Sequence, residues 1–253
     1  MINNVRVSLI EAPDEDYSRI TRAAVELGVV LGEKRYGADK FKGKRFPSEE
    51  KLKVVRASSN EDILQIDVVP FQWSDLVAYR ELMPSGATGY EAQNALLRNA
   101  LALTANAVLR TIDNRLLFHM KKGGASEGSV HTFGGYVSRA DLTQADPIAA
   151  ALVRELMEKS ELGLSFNDFL TIGPYLGERG NLPAALWDFG TAAVYGVVNI
   201  TRTSQEIAAQ AGEETLEGKT YSIHTGEVKG LEKVNIHPQT AKVIPSLIEV
   251  FRS

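Results

Sequence analysis

The stretch Phe133-Gly134-Gly135-Tyr136-Val137, followed by Arg154-Glu155-Leu156-Met157-Glu158 inside a helix-forming run, constrains this chain more than any other. A glycine turn feeding a carboxylate-bearing helix is the layout needed to hold a divalent cation against a diphosphate. Helical periodicity puts Glu155 and Glu158 three residues apart on one face, and Arg154 pairs with Glu158 at i,i+4. One turn of helix therefore offers hard oxygen ligands and a cation to orient them. Magnesium favours a few carboxylates plus substrate phosphate oxygens over an all-protein cage, and a carboxylate cluster beside a glycine loop suits it.

These residues resemble the signature of the Nudix hydrolases, G(x5)E(x7)REUxEExGU with U aliphatic. Asp146 is followed by seven residues and then Arg154-Glu155-Leu156-Met157-Glu158, which matches E(x7)REUxE with Asp for the first Glu. Gly134-Gly135 looks like the opening glycines, although ten residues rather than five separate Gly135 from Asp146. An insertion in a loop costs little stability. Lys159 stands where the family carries the second Glu of its pair, and Glu161 takes the place of the box glycine unless the segment is read with a two-residue insertion ending on Leu162-Gly163-Leu164.

The surroundings have the order that a Nudix domain would present. Leu101 to Arg110 is an apolar, β-capable run, Asp113-Asn114 is a turn signal and Arg115 to Met120 is a second short strand candidate. After the box, Asp168 to Tyr175 and Leu186 to Ile200 read as strands around the polar loop Gly177 to Asn181. Ser204 is expected to cap a short helix over Gln205 to Gln210, before a strand at Lys219 to Ile223. His237-Pro238 opens a last helix, Gln239 to Phe251, with Val243, Leu247 and Val250 at helical spacing. The fold class this predicts is α+β, an αβα sandwich with a mixed β-sheet flanked by helices.

The 253 residues exceed the usual single-domain size. Residues 1–100 read as a smaller N-terminal α+β region and 101–253 as the hydrolase-like domain. Val5 to Ile10 is a strand candidate, Asp16 to Leu31 has helical spacing, and Leu52 to Arg56 with Ile63 to Phe71 reads as a β-hairpin across Ser58-Ser59-Asn60. Trp73 and Tyr79 to Leu82 fall on a short helix broken by Pro84-Ser85-Gly86. In long Nudix proteins such an upstream region serves homodimerisation or substrate choice, which the resemblance implies here.

Composition narrows the chemistry. The absence of cysteine rules out disulfides, thiol nucleophiles and cysteine-ligated zinc. No basic segment precedes a long apolar run at Met1-Ile2-Asn3-Asn4, and no stretch approaches the ~20 apolar residues of a membrane span, so a soluble, cytoplasmic protein is expected. A net charge of −4 argues against nucleic-acid binding through bulk charge. A local basic patch runs from Lys34-Arg35 through Lys40, Lys42 and Lys44 with Tyr36, Phe41 and Phe46 between. Such a loop is read as either solvated or reaching over the site to hold the nucleotide end of the substrate.

Other chemistries lack their parts. His119, His131, His224 and His237 never fall at i,i+4 on a helix, and neither the P-loop nor a Gly-x-Gly dinucleotide fingerprint is present. His119 and His131 flank the glycine stretch and read as solvent-facing or structural rather than substrate-contacting.

What the resemblance implies is a metal-dependent hydrolase of a diphosphate linkage in a nucleoside diphosphate joined to another group, a sugar nucleotide or dinucleotide, with Mg2+ or Mn2+. It places Glu155, Glu158 and the Gly135 carbonyl on the metal, with Arg154 orienting them, and Lys159, Lys40, Lys42 and Lys44 toward substrate. Glu161 is a replacement for the carboxylate missing at Lys159, although about 600° of helix rotation puts it some 120° off the face of Glu155. The base that activates water is sought outside the box among Glu178, Glu213, Glu214 and Glu217. Two other readings stay open: a catalytically silent Nudix-fold nucleotide sensor, favoured by Lys159, and an interaction module using the N-terminal hydrophobic hairpin.

Overall fold

A computed structural model describes residues 2–11, 30, 34, 50–60, 62–72, 101–120, 128–158, 162–176, 187–188, 191–211, 220–224 and 235–251. The strands are β1 (Asn4–Leu9), β2 (Glu50–Asn60), β3 (Ile63–Gln72), β4 (Leu101–Arg110), β5 (Arg115–Met120), β6 (Val130–His131), β7 (Phe133–Tyr136), β8 (Phe169–Leu176), β9 (Trp187–Asp188), β10 (Thr191–Ile200) and β11 (Thr220–His224). The helices are α1 (Pro147–Glu158), α2 (Ser204–Ala211) and α3 (Pro238–Val250). Lys40, Lys42, Lys44, Lys159, Glu161, Glu178, Glu213, Glu214 and Glu217 lie outside the described residues, as do the Gly177 to Asn181 loop, the Trp73 to Leu82 helix and nearly all of the Asp16 to Leu31 helix.

All the strands belong to one mixed sheet, whose main path runs β1-β3-β2-β4-β10-β8. β4 is its organising strand. β10 lies parallel along β4 from Ala102 to Arg110, which fills one edge. The other edge is therefore shared in turn by β2 at Leu101 and Ala102, β7 at Thr104 to Ala107, and β5 at Leu109 and Arg110. At the far ends of the path, Ile2 and Tyr175 exchange backbone hydrogen bonds at 3.2 and 2.9 Å, which ties the start of the chain to β8.

Near-continuous apolar runs are expected of strands buried on both faces, and β4 is such a strand. Leu103, Ala105, Ala107 and Leu109 enter one apolar cluster with Ile148, Ala151, Leu152 and Leu156 of α1 and Ile207 of α2. Val108 points the other way, into a cluster with Tyr195 and Val197 of β10 and Val243, Ile244 and Leu247 of α3. The result is the three-layer α+β arrangement expected from the sequence. The strands at 101–110 and 115–120, the turn at Asp113-Asn114, with Asn114 at φ 63°, and the last helix all fall where periodicity put them.

Four local expectations are corrected. Ser58, Ser59 and Asn60 are strand, paired with Gln65, Leu64 and Ile63, because the ladder hydrogen bonds continue to the end of β2. Leu186 to Ile200 is not one strand: β9 folds back antiparallel on β10, with Asp188 opposite Thr191. The cap of α2 is Thr203, whose hydroxyl accepts from Glu206 N–H at 3.2 Å while the Glu206 carboxylate accepts from Thr203 N–H at 2.7 Å. Ser204 instead bonds to Asp113 through both its N–H and its hydroxyl, at 2.9 and 2.6 Å. Gly134 and Gly135 are not a loop but β7 itself, held in register opposite Asn106 and Ala105.

Candidate active site

α1 begins where Asp146 caps it, one carboxylate oxygen accepting from Ala149 N–H at 2.9 Å. The other accepts the Tyr175 hydroxyl at 2.5 Å, so this aspartate docks the helix start onto β8. Burial, and then the hydrogen bond and charge of Asp146, push the Tyr175 hydroxyl well above the usual tyrosine range. Pro147, Ile148, Ala151, Leu152 and Leu156 form the buried side of the helix. At 100° per residue, Glu155 falls in the middle of that buried arc and Arg154 and Glu158 at its edge.

The burial of Glu155 is permitted by glycine. A Cβ on Gly135 would land on the Glu155 carboxyl group, so only glycine leaves room for that carboxylate against β7. Arg154 Nη1 donates to Glu155 Oε1 at 2.7 Å and lies 3.5 Å from Glu158 Oε1, which brings both expected carboxylates to one guanidinium. Glu155 is 13% exposed and Glu158 59%, so one acid is walled in and the other stands at the rim.

Two partners of Arg154 escaped the sequence reading. Its Nη2 donates to the Tyr136 carbonyl at 2.8 Å and to Asp141 Oδ2 at 3.0 Å, and its Nε donates to Asp141 Oδ1 at 3.2 Å. Asp141 Oδ2 also accepts from the Ser138 N–H at 2.7 Å and hydroxyl at 2.9 Å. The sequence did carry a signal, since Ser138-Arg139-Ala140-Asp141 fits the S-x-x-D capping pattern. Read that way, Asp141 is a fixed carboxylate facing the chain that follows. The guanidinium therefore fastens helix, β7 and the turn after it into one unit.

Burial alone would raise the Asp141 carboxyl, but hydrogen bonds from Arg154 and Ser138 and the arginine charge overcome it and hold it below the usual carboxylate range. Burial likewise opposes the charge on Arg154, and Asp141 and Glu155 outweigh it, raising the guanidinium further. A depressed carboxyl contributes stability that is present above its unfolded value and lost as pH falls through its native one. Replacing Asp141 by Asn is expected to cost about 1–3 kcal/mol at neutral pH. The gap between the two proteins should close as pH falls below about 4 in urea unfolding followed from pH 6 downward. A gap that is constant with pH would remove the ion pair from this account.

Among the described residues, no group of three or more His, Cys, Asp or Glu side chains is placed to hold a metal ion by itself. The Glu155 carboxyl fills the space that the missing Cβ of Gly135 leaves, and Glu158 meets the same guanidinium at the rim. Three of the histidines gather elsewhere: the His131 ring stacks on His237 at 4.2 Å and meets His119 edge-on at 5.6 Å. His131 Nε2 is 2.8 Å from the Ser129 hydroxyl. These ring contacts join the start of α3 to β6 and β5.

No family model matches the chain, and no curated protein matches it. Solved structures do. A bifunctional NMN adenylyltransferase/ADP ribose pyrophosphatase from Francisella tularensis is 13% identical over 70% of this chain and 46% of its own, with a TM-score of 0.40. NrtR of Shewanella oneidensis, solved with DNA, is 16% identical over 58% of this chain and 61% of its own, with a TM-score of 0.37. The NUDIX domain of the same protein, solved with ADP ribose, is 15% identical over 58% of this chain and 86% of its own, with a TM-score of 0.35. This chain thus spans less than half of the Francisella protein and under two thirds of full NrtR. No helix among the described residues is long and apolar enough to cross a membrane. The solved structures to which the chain is similar thus include a NUDIX domain, an ADP ribose pyrophosphatase and a protein solved with DNA.

Proposed function

We propose that the protein is a Nudix-type pyrophosphohydrolase acting on a nucleoside diphosphate joined to a second group, of the sugar-nucleotide or dinucleotide class. The observation that carries this reading is the Glu155 carboxyl group seated over Gly135 and held there by Arg154. A divalent ion, Mg2+ or Mn2+, when bound by Glu155, Glu158 and the Gly135 backbone, supplies charge neutralisation at the phosphate oxygens and a more acidic water. Arg154 holds Glu155 in place, and Asp141 keeps Arg154 from swinging away. The base is sought at Glu178, Glu213, Glu214 or Glu217, and the region of residues 1–100 is assigned to substrate choice or dimer formation. A turnover screen of nucleoside diphosphate sugars, dinucleotides and triphosphates with magnesium and with manganese tests it. Absence of turnover on all three classes would sink the hydrolase reading.

The alternative is a silent nucleotide sensor, and the lysine in the box favours it. An ammonium beside two carboxylates repels a divalent ion and itself attracts phosphate. Lys159→Glu is expected to tighten magnesium binding, to raise or create hydrolysis and to weaken metal-free nucleotide binding, read by calorimetry beside a phosphate-release assay. Unchanged metal affinity, or loss of an activity that the natural protein has, would refute the alignment of the last third of the box.

A further inference from the structure

We propose that the groove on the outer side of α1 receives the nucleobase of the ligand, stacked on Phe166 with its N–H groups facing Glu158. This rests on the nucleotide reading above and names where the part of the ligand beyond the diphosphate lies. A surface helix that buries one side against a core ordinarily presents polar residues on the other. α1 departs from that rule. Its buried side is Ile148, Ala151, Leu152 and Leu156, yet Ala150, Val153 and Met157 recur at i, i+3 and i+7 as a second apolar stripe on the outer side.

That stripe is one wall of a groove of about 770 Å³, a size that suits a small molecule. Phe166 lines it from the turn before β8 and is 73% exposed, an unusual setting for a phenylalanine ring. Asp141, Arg154 and Glu158 line the groove too. These side chains also belong to the ion-pair cluster that holds Glu155, so the groove and the candidate active site share the Arg154–Glu158 edge of the helix.

Charge decides which part of a nucleotide fits. The described lining carries three carboxylates, Asp141, Asp146 and Glu158, against the single cation Arg154. Arg154 already donates to Asp141, Glu155 and the Tyr136 carbonyl, which leaves a phosphate little to meet there. A neutral planar ring has the opposite needs: an apolar wall, an aromatic face to stack on and an acceptor for its N–H groups. Asp141 is engaged by Ser138 and Arg154, and Asp146 by the Ala149 N–H and the Tyr175 hydroxyl. The exposed acceptor on the shared edge is therefore Glu158.

The test is a metal-free titration of the natural protein, labelled with carbon-13 at its methionine methyls, with adenosine, guanosine, cytidine and uridine in turn. Met157 lines the groove and Met120 packs on the α3 side of the sheet, so one reports the site and the other any general effect. At least one nucleoside is expected to move the Met157 signal saturably and leave that of Met120 in place. Phe166→Ala should weaken that nucleoside about tenfold, the usual worth of one base stacked on a ring. Val153→Arg fills the groove with a long side chain, keeps good helix propensity and should abolish the response. The subsite is overturned if no nucleoside moves Met157, if ribose 5-phosphate moves it as strongly, or if the folded variants keep their affinity. Should Val153→Arg fail to fold, Phe166→Ala at its exposed position decides alone. A protein that binds a nucleoside here and hydrolyses no nucleotide would sink the hydrolase reading and keep the subsite. An active enzyme whose Phe166→Ala variant keeps both KM and the Met157 response would do the reverse.

Discussion

Glu155→Gln is expected to lower metal-dependent hydrolysis by at least ~10²-fold while leaving the fold intact, the usual cost of removing one strong transition-state stabiliser. The amide keeps the size of the side chain over Gly135 and its oxygen still accepts from Arg154, so packing is preserved while the negative charge is lost. Glu158→Gln should fall by a similar factor if both acids hold the ion. The more exposed position of Glu158 predicts the smaller change in thermal stability of the two. Steady-state rates with magnesium beside thermal melts of both variants check this. Wild-type turnover in either variant would remove that residue from the site.

The glycine pair gives the second large effect, because the same substitution should fail for different reasons at neighbouring positions. A Cβ at Gly135 meets the end of a side chain, the Glu155 carboxyl, which can swing aside. Gly135→Ala should therefore melt close to the natural protein yet lose ~10²-fold in turnover, since the displaced carboxylate no longer reaches its place. At Gly134 a Cβ meets the Ala105 carbonyl oxygen and the Asn106 backbone and side chain, in the central strand of the sheet. Gly134→Ala should be destabilised by about 1–3 kcal/mol, the cost of overpacking where the backbone must give. Chemical denaturation and rate measurements on both variants separate these outcomes. Equal losses of stability at both positions would mean that Glu155 does not occupy the space above Gly135.

Much of the candidate site was legible. Arg154 with Glu158 is an i,i+4 pair readable from spacing, and Glu155 beside Gly135 followed from the resemblance. Asp146 shows the limit of pattern matching. It stands in the box where a glutamate is expected, yet its two oxygens serve the Ala149 N–H and the Tyr175 hydroxyl. Nothing in the spacing from Asp146 to Arg154 names a tyrosine on a strand 29 residues further on. Lys51 shows the complementary limit. The lysines that drew notice, Lys40, Lys42 and Lys44, are clustered in sequence, while Lys51 meets the Tyr136 ring only once β2 and β7 share the same edge of β4.

By itself the sequence determined the elements whose signals are local: β4 and β5 with the turn between them, α1, α3 and the two-sided apolar character of the central strands. Periodicity and turn chemistry act over a few residues and need no partner to be read. Only the tertiary structure decided that Gly134 and Gly135 are a strand, that Asp141 is the anchor of Arg154, and that β2 brings Lys51 to the Tyr136 ring of the same strand. Each of these depends on which distant segment fills the free edge of β4. Backbone hydrogen bonding must be satisfied along that edge, and a two-glycine segment without side chains to bury takes whichever conformation the neighbouring strand offers.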